Sequence, residues 1–392
     1  MELSALTPLR ERPGLTTLLD ALGSGTARFV GGAVRDTLLG LSAVDIDLAT
    51  TLSPYEVMRR CGAAGIRTVP TGIEHGTVTA LVDGHVEITT LRADVRTDGR
   101  RATVAFTDDW RADAERRDFT INALYWNPET GELTDYFGGR EDLGAGLVRF
   151  IGEPLTRIAE DHLRILRFFR FQARFGRREL DPASLAACVA RANDLMALSR
   201  ERIADELLKL LALPDPVPTL RLMVGNGIMA PVLPEIGANG CDRLERLVAT
   251  EQAAAVVPDA ARRLAALLPP EPLTAEKVAA RLKLSNRLRK RLALAADADL
   301  DGNPRALAYA IGKEGAEDRL LLAGRALEVT DLAPFTVPRL PLGGGELIRR
   351  GLKPGPIVAT TLRQIERRWV EEDFPNEERL AQLVDEALNS AR

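Results

Sequence analysis

Hydrophobic and polar positions change their spacing about a third of the way along the chain. Up to about residue 140, short alternating or β-branched runs are interleaved with helical ones, and beyond it nearly every segment repeats with the helical period. The pattern predicts an α+β protein, a mixed β-sheet with helices followed by an all-α remainder. Arg28-Phe29-Val30 reads as a short strand that stops at Gly31-Gly32 and feeds a helix over residues 33–39. Residues 44–48 alternate strictly, with Val44, Ile46 and Leu48 on one face. Ser53-Pro54-Tyr55-Glu56 opens the next helix with an N-cap serine, a proline at the first helical position and a capping-box glutamate. Residues 77–82 and 85–91 flank Asp83-Gly84, a two-residue hairpin signal. Residues 92–109 dissolve into charge and glycine and read as a loop, whereas 119–126 read as a further strand. A long helix is predicted from about Asp161 to Phe175, and proline-rich breaks near 214–218, 269–272 and 334–341 divide the rest.

A chain of 392 residues exceeds one ordinary core. The breaks suggest a head over 1–140, then helical segments over 141–211, 212–300 and 301–392. Hydrophobic residues at 45% and charged residues at 28% fit a globular protein and argue against disorder. Apolar stretches are short and interrupted, and residues 1–12 carry no signal-peptide pattern, so a cytoplasmic protein without a membrane span is expected. Cys61, Cys188 and Cys241 are scattered, with no CxxC pair, and read as buried thiols. A net charge of −4 provides no global field for nucleic acid. RNA binding would need local patches, and two exist: Arg164, Arg167, Arg170, Arg174, Arg177 and Arg178, then Arg287, Arg289, Lys290 and Arg291.

Residues two apart on a strand share a face, so Asp45 and Asp47 would present two carboxylates to one point. Paired hard oxygen donors suit Mg²⁺, which keeps several waters and takes one or two carboxylates plus substrate phosphates. A polar strand face with no metal fits the same two residues, and the neighbours tilt the balance. Gly31-Gly32 allows close approach of a ligand, and the following helix turns free N–H groups and its positive dipole end outward. Arg35 lies in the first turn of that helix, where a cation opposes the dipole and a bound phosphate would account for it. Glu87 reads equally well as a third carboxylate for this surface or as a solvated strand glutamate.

Gly31-Gly32-Ala33-Val34-Arg35-Asp36 through Gly40, followed by Asp45-Ile46-Asp47, closely resembles the nucleotidyltransferase signature of the class II CCA-adding enzymes and bacterial poly(A) polymerases. The resemblance implies that Asp45 and Asp47 hold the catalytic metals and that Gly32 and Arg35 contact the nucleotide. It continues through Arg116-Arg117-Asp118-Phe119-Thr120-Ile121-Asn122, which is similar to the family's ribose-recognition motif. Arg117 would then meet the nucleotide, and Asp118 would accept from the 2'- and 3'-hydroxyls. Outside this pattern, Arg-Arg-Asp would read as a surface ion pair.

The segment from Glu160-Asp161 to Phe171 resembles the family's base-selecting element. On one helix, Asp161 and Arg164 are rotated by roughly 60° and adjoin, whereas Arg170 faces away. A carboxylate accepts from the amino group of cytosine or adenine while a guanidinium donates to the adjacent ring nitrogen; uracil and guanine reverse that order. Asp161 and Arg164 are therefore expected to read the base, supported by Arg167 and Arg170. An intrahelical ion pair is the plain alternative.

For the whole chain the resemblance implies template-independent addition or repair of the 3'-terminal CCA of tRNA from CTP and ATP. The reaction would be two-metal phosphoryl transfer that releases pyrophosphate. Residues 92–109, with Asp98-Gly99-Arg100, would be the lever that changes the site from C to A, and the retained loop favours full CCA addition. Helices beyond about Leu211 would hold the acceptor stem and TΨC arm through phosphates and shape. A poly(A) polymerase, a partial enzyme adding only CC or only A, and a catalytically silent RNA-binding protein remain alternatives. Monomer and homodimer both stay open.

Overall fold

The computed structural model describes residues 2–43, 45–94, 104–177, 180–300 and 303–390. Two compact units divide the chain, Met1–Ala197 and Leu198–Arg392. All the described strands lie in the first: β1 (Ala27–Val30), β2 (Ile46–Thr50), β3 (Arg67–Gly72), β4 (Thr77–Leu81), β5 (His85–Thr90), β6 (Arg92–Asp94), β7 (Val104–Phe106), β8 (Leu124–Trp126) and β9 (Leu133–Asp135). Seven form one sheet in the order β3-β4-β5-β2-β1-β8-β9, while β6 and β7 pair separately. The β2–β5 pair is parallel and the other pairs are antiparallel. A parallel pair needs a long connection. Here it runs through a helix and the β3–β4 hairpin. The mixed sheet followed by helices is the α+β architecture expected from the change of period.

The helices around the sheet are α1 (Leu15–Leu22), α2 (Gly32–Leu38), α3 (Pro54–Ala63), α4 (Trp110–Glu115), α5 (Gly139–Ala145), α6 (Pro154–Glu160), α7 (Arg164–Phe175) and α8 (Pro182–Ala190). Ser53 caps α3 as expected, its hydroxyl accepting from the Glu56 N–H at 3.3 Å. Val30, Ala49, Leu91, Ala114, Ala123, Tyr125 and Ile151 form a buried apolar cluster. It gives the residues around β1 and β2 a fixed footing.

The second unit is helical from Arg200–Leu211 to Glu377–Ser390. Arg263, 1% exposed, donates to Glu251 at 2.9 Å and to the carbonyl of Leu211 at 2.8 Å. Arg291, read from sequence as part of an RNA patch, instead pairs with Asp318 at 2.7 Å and Asp259 at 3.0 Å inside the unit. Its charge is matched by the buried Asp318 and the half-buried Asp259 rather than offered to a ligand. No helix among the described residues is long and apolar enough to cross a membrane.

Three local expectations need correction. Residues 119–126 are not one strand: Thr120–Asn122 form a 3₁₀ turn and only Leu124–Trp126 pair with the sheet. The Asp118 carboxylate takes the Phe119 N–H and the Asn122 amide, both at 2.8 Å, so side chains capture backbone that a ladder would use. Residues 92–109 are not simply a loop, because β6 and β7 pair through Arg92↔Phe106, Ala93↔Ala105 and Asp94↔Val104; Asp98, Gly99 and Arg100 lie outside the described residues. The helix expected from Asp161 begins at Arg164, and Asp161 is an extended joint after α6 (φ −150°, ψ 106°).

Candidate active site

Asp47 is placed by β2, and the parallel register sets it opposite Glu87 of β5. Asp45 precedes the first residue of β2 and is exposed; its neighbour Val44 lies outside the described residues. A cavity of about 220 Å³ is lined by Val30, Asp47, Leu48, Glu87, Thr89, Arg92, Arg116 and Arg117. Two acids and three arginines thus share one wall system. Burial, with Glu87 and Asp45 nearby, pushes the Asp47 carboxyl up to about 6 against the pull of Arg117 and Arg35.

Gly31 joins β1 to α2 at φ 65° and ψ −127°, a backbone state that side chains oppose. A Cβ built there would lie 3.5 Å from Arg117 Nη1, 3.8 Å from Asp47 Oδ2 and 3.9 Å from the Asn122 carbonyl. Strand acid, arginine and turn therefore converge on Gly31. Gly32, the expected nucleotide contact, is the first residue of α2 and would meet only Arg35 Nη2, at 3.6 Å. The sequence marks the Gly31-Gly32 pair for close approach and assigns the nucleotide contact to Gly32, whereas the strained turn that faces Arg117 and Asp47 is at Gly31.

Arg35 is buried rather than extended from the surface. Its Nε donates to Asp36 Oδ1 at 2.7 Å, it hydrogen-bonds to Asn122, and its guanidinium lies 4.2 Å from the ring centre of Phe175. Burial lowers its pKa against the hold of Asp36. Arg174 donates to Asp36 Oδ2 at 2.9 Å and so ties α2 to α7. Asp36 and Asn122 are contributors to which the sequence reading gave no role, and Arg174, read there as part of a basic patch for RNA, pairs with Asp36.

Asp118, 7% exposed, accepts from Arg167 Nε at 2.8 Å as well as from Phe119 and Asn122. Burial would raise its pKa, but Arg167 and these hydrogen bonds hold the carboxyl down to about 2. Arg117 Nε donates to the Tyr125 hydroxyl at 2.8 Å, and its Nη2 to Asp113 at 3.2 Å.

On α6 and α7, Asp161 Oδ1 accepts from the Leu163 N–H at 3.1 Å. Arg164 donates to the carbonyls of Arg157 at 2.8 Å and Arg116 at 3.1 Å, and pairs with Glu160. These bonds use three of the five N–H groups of a guanidinium. Arg157 holds the Arg117 carbonyl at 2.8 Å. Arg157 and Arg164 therefore clamp the backbone at Arg116 and Arg117, two residues that line the cavity with Asp47. Arg170 lies 4.7 Å from the ring centre of Phe171.

The chain is similar to known proteins over most of its length. Residues 27–149 match the profile of the poly A polymerase head domain, and residues 179–239 match that of a probable RNA and SrmB-binding site of polymerase A. The mouse mitochondrial CCA tRNA nucleotidyltransferase 1 is 35% identical over 362 residues, covering 87% of this chain and 82% of its own. The chain belongs to the CCA tRNA nucleotidyltransferase family. The human member is 50% identical over 188 residues, 47% of this chain, and that match spans 43% of the human protein. A crystal structure of the Bacillus stearothermophilus CCA-adding enzyme in complex with CTP superposes with a TM-score of 0.75 at 28% identity, covering 94% of this chain and 95% of its own.

Among the described residues no group of three or more His, Cys, Asp or Glu side chains is gathered into a ready-made metal cage. For magnesium, one or two carboxylates completed by substrate phosphates are sufficient. The donor set on β2 and β5 is all oxygen. The raised Asp47 carboxyl marks a place where a cation would relieve unfavourable negative charge. The residues present fit the divalent-metal dependence of a nucleotidyltransferase.

Proposed function

We propose that this chain builds or repairs the 3'-terminal CCA of tRNA from CTP and ATP, without a nucleic-acid template, and releases pyrophosphate. The convergence of Asp47, Glu87 and Arg117 on one cavity, with Gly31 at the turn beside it, carries the reading. Asp45 and Asp47, with Glu87 as neighbour, would hold Mg²⁺, which when bound supplies positive charge against the phosphates of the substrate. The turn at Gly31 lets the triphosphate approach the backbone at the start of α2, and Arg117 offers charge from the facing wall. Arg35 is a packed brace behind that turn. Its contact with nucleotide would run through the Gly31-Gly32 backbone it supports.

Asp118 already holds four donors, two from Arg167 and one each from Asn122 and Phe119, so it would accept from ribose hydroxyls in exchange for one of these bonds. Asp161 and Arg164 would meet the Watson–Crick edge of cytosine or adenine, Arg164 being already pinned against the 116–117 backbone. Arg167, through Asp118, and Arg170, further along α7, would support the pocket or the phosphates. The segment over 141–211 would carry the nucleotide-selecting residues, and the helical segments over 212–300 and 301–392 would hold the acceptor stem and TΨC arm of tRNA. The three buried free cysteines fit a reducing compartment, and the cytoplasm is the proposed site of action.

The test is direct. Three tRNAs, lacking CCA, lacking CA and lacking only the final A, are each incubated with labelled CTP or ATP. Full addition predicts growth to the same 3' end from every start. A ladder of many A residues would favour poly(A) polymerase, and arrest after CC or action only on the last substrate would mark a partial enzyme.

A further inference from the structure

Behind the arginine wall of the cavity lies one carboxylate with four donors. Asp113 of α4 is 2% exposed. Its Oδ1 accepts from the Arg92 N–H at 3.1 Å and from Arg116 Nε at 3.2 Å. Its Oδ2 accepts from the Tyr125 hydroxyl at 2.7 Å and from Arg117 Nη2 at 3.2 Å. Tyr125 is itself fully buried and accepts in turn from Arg117 Nε at 2.8 Å. Arg92, Arg116 and Arg117 are the three basic residues that line the cavity with Asp47 and Glu87.

A buried carboxylate needs hydrogen bonds or countercharge wherever it lies. Here two of its bonds go to side chains of the active cavity and a third to the backbone of another lining residue. Arg117 also has a competitor within reach, because its Nη1 and Asp47 Oδ2 converge on the same point beside Gly31. An arginine drawn onto Asp47 would occupy the place of an incoming phosphate. Fixing Nε on Tyr125 and Nη2 on Asp113 sets the plane of the guanidinium and turns its Nη1 edge toward Gly31 and the cavity.

We infer that Asp113 and Tyr125 are positioning residues for the nucleotide: together they hold the Arg117 and Arg116 guanidiniums in the orientation that receives the triphosphate. The inference rests on the nucleotidyltransferase reading of the cavity. Neither residue touches the reacting atoms, so their effect passes through Arg117 and Arg116.

Tyr125→Phe is the sharper variant, because it deletes one hydroxyl while keeping the ring in its apolar cluster. Losing a hydrogen bond to a charged group should raise KM for both CTP and ATP by about tenfold, with a smaller change in kcat. KM for tRNA and the melting temperature should stay close to wild type. Asp113→Asn, which sets an amide against arginine donors, should raise both nucleotide KM values further; Asp113→Glu, which keeps the charge, should recover part of the loss. The deciding measurement is the double variant with Arg117→Lys. A lysine cannot use both anchors, so Tyr125→Phe should add little in that background. Unchanged nucleotide KM in Tyr125→Phe, or its full effect persisting beside Arg117→Lys, overturns the inference. A wild-type protein that adds no nucleotide to any of the three tRNAs would instead sink the activity itself.

Discussion

Asp47 and Glu87 stand abreast on the parallel strands β2 and β5, in register and lining the same cavity. Two carboxylates so placed repel one another, and a shared cation relieves both. Asp47→Ala should therefore lower nucleotide incorporation by about 10³-fold or more, the scale of several kcal/mol of lost transition-state charge stabilisation. Affinity for tRNA, measured by filter binding, should be retained. Glu87→Gln, which keeps the shape and removes one charge, should fall between that variant and wild type. An active Asp47→Ala enzyme would remove Asp47 from the chemistry.

Gly31 and Gly32 should part company. Gly31→Ala forces a Cβ into a glycine-only backbone state and toward Arg117 and Asp47, at about 1–3 kcal/mol. Thermal melts should show the loss, and CTP affinity should drop with it. Gly32→Ala meets an ordinary contact at 3.6 Å and should melt near wild type. Equal melting temperatures for the two variants would refute the strain argument.

Base choice should respond to Asp161 and Arg164 in different ways. Asp161→Ala removes the acceptor for the amino group, so UTP should be used more readily relative to CTP by about tenfold or more. Arg164→Ala also frees the Arg116 carbonyl that it holds, so it should lower total incorporation as well as selectivity. Unaltered CTP over UTP preference in the first variant would take base reading away from Asp161.

Acid should expose Asp118. A carboxyl held at about 2 in the fold but titrating near 4 when unfolded adds stability that is full above the unfolded value and is lost as pH falls from about 4 to about 2. The contribution is on the order of 2 kcal/mol. Denaturant unfolding of Asp118→Asn should start from lower stability at neutral pH and decline less steeply across that acid window. Parallel pH curves for variant and wild type would contradict the assignment.

Much of this protein is written in short-range patterns. The change from period two to period 3.6 near residue 140 marks where sheet gives way to helix, and Ser53-Pro54 and Asp83-Gly84 announce a cap and a hairpin because their chemistry acts within a few residues. The chemical types at Asp45, Asp47, Arg117 and Asp118 are equally legible. Which partner each one meets depends on contacts between residues far apart in the chain, and no local pattern encodes those. Parallel pairing of β2 with β5 puts Glu87 beside Asp47; packing of α7 against α2 buries Arg35 and assigns Arg174 to Asp36. The turn at 120–122 and the joint at Asp161 break a predicted strand and a predicted helix: the Asp118 carboxylate takes the Phe119 N–H, and Asp161, in an extended state, caps the Leu163 N–H that the start of a helix leaves free. The second basic cluster shows the same limit in the helical unit, where Arg291 turns inward to Asp318 while Arg287 and Lys290 stay exposed. The sequence alone determined the architecture and the reactive groups, since both follow from periodicity and residue chemistry. Only the tertiary structure decided who pairs with whom, because a buried charge takes its role from the countercharge that folding brings to it.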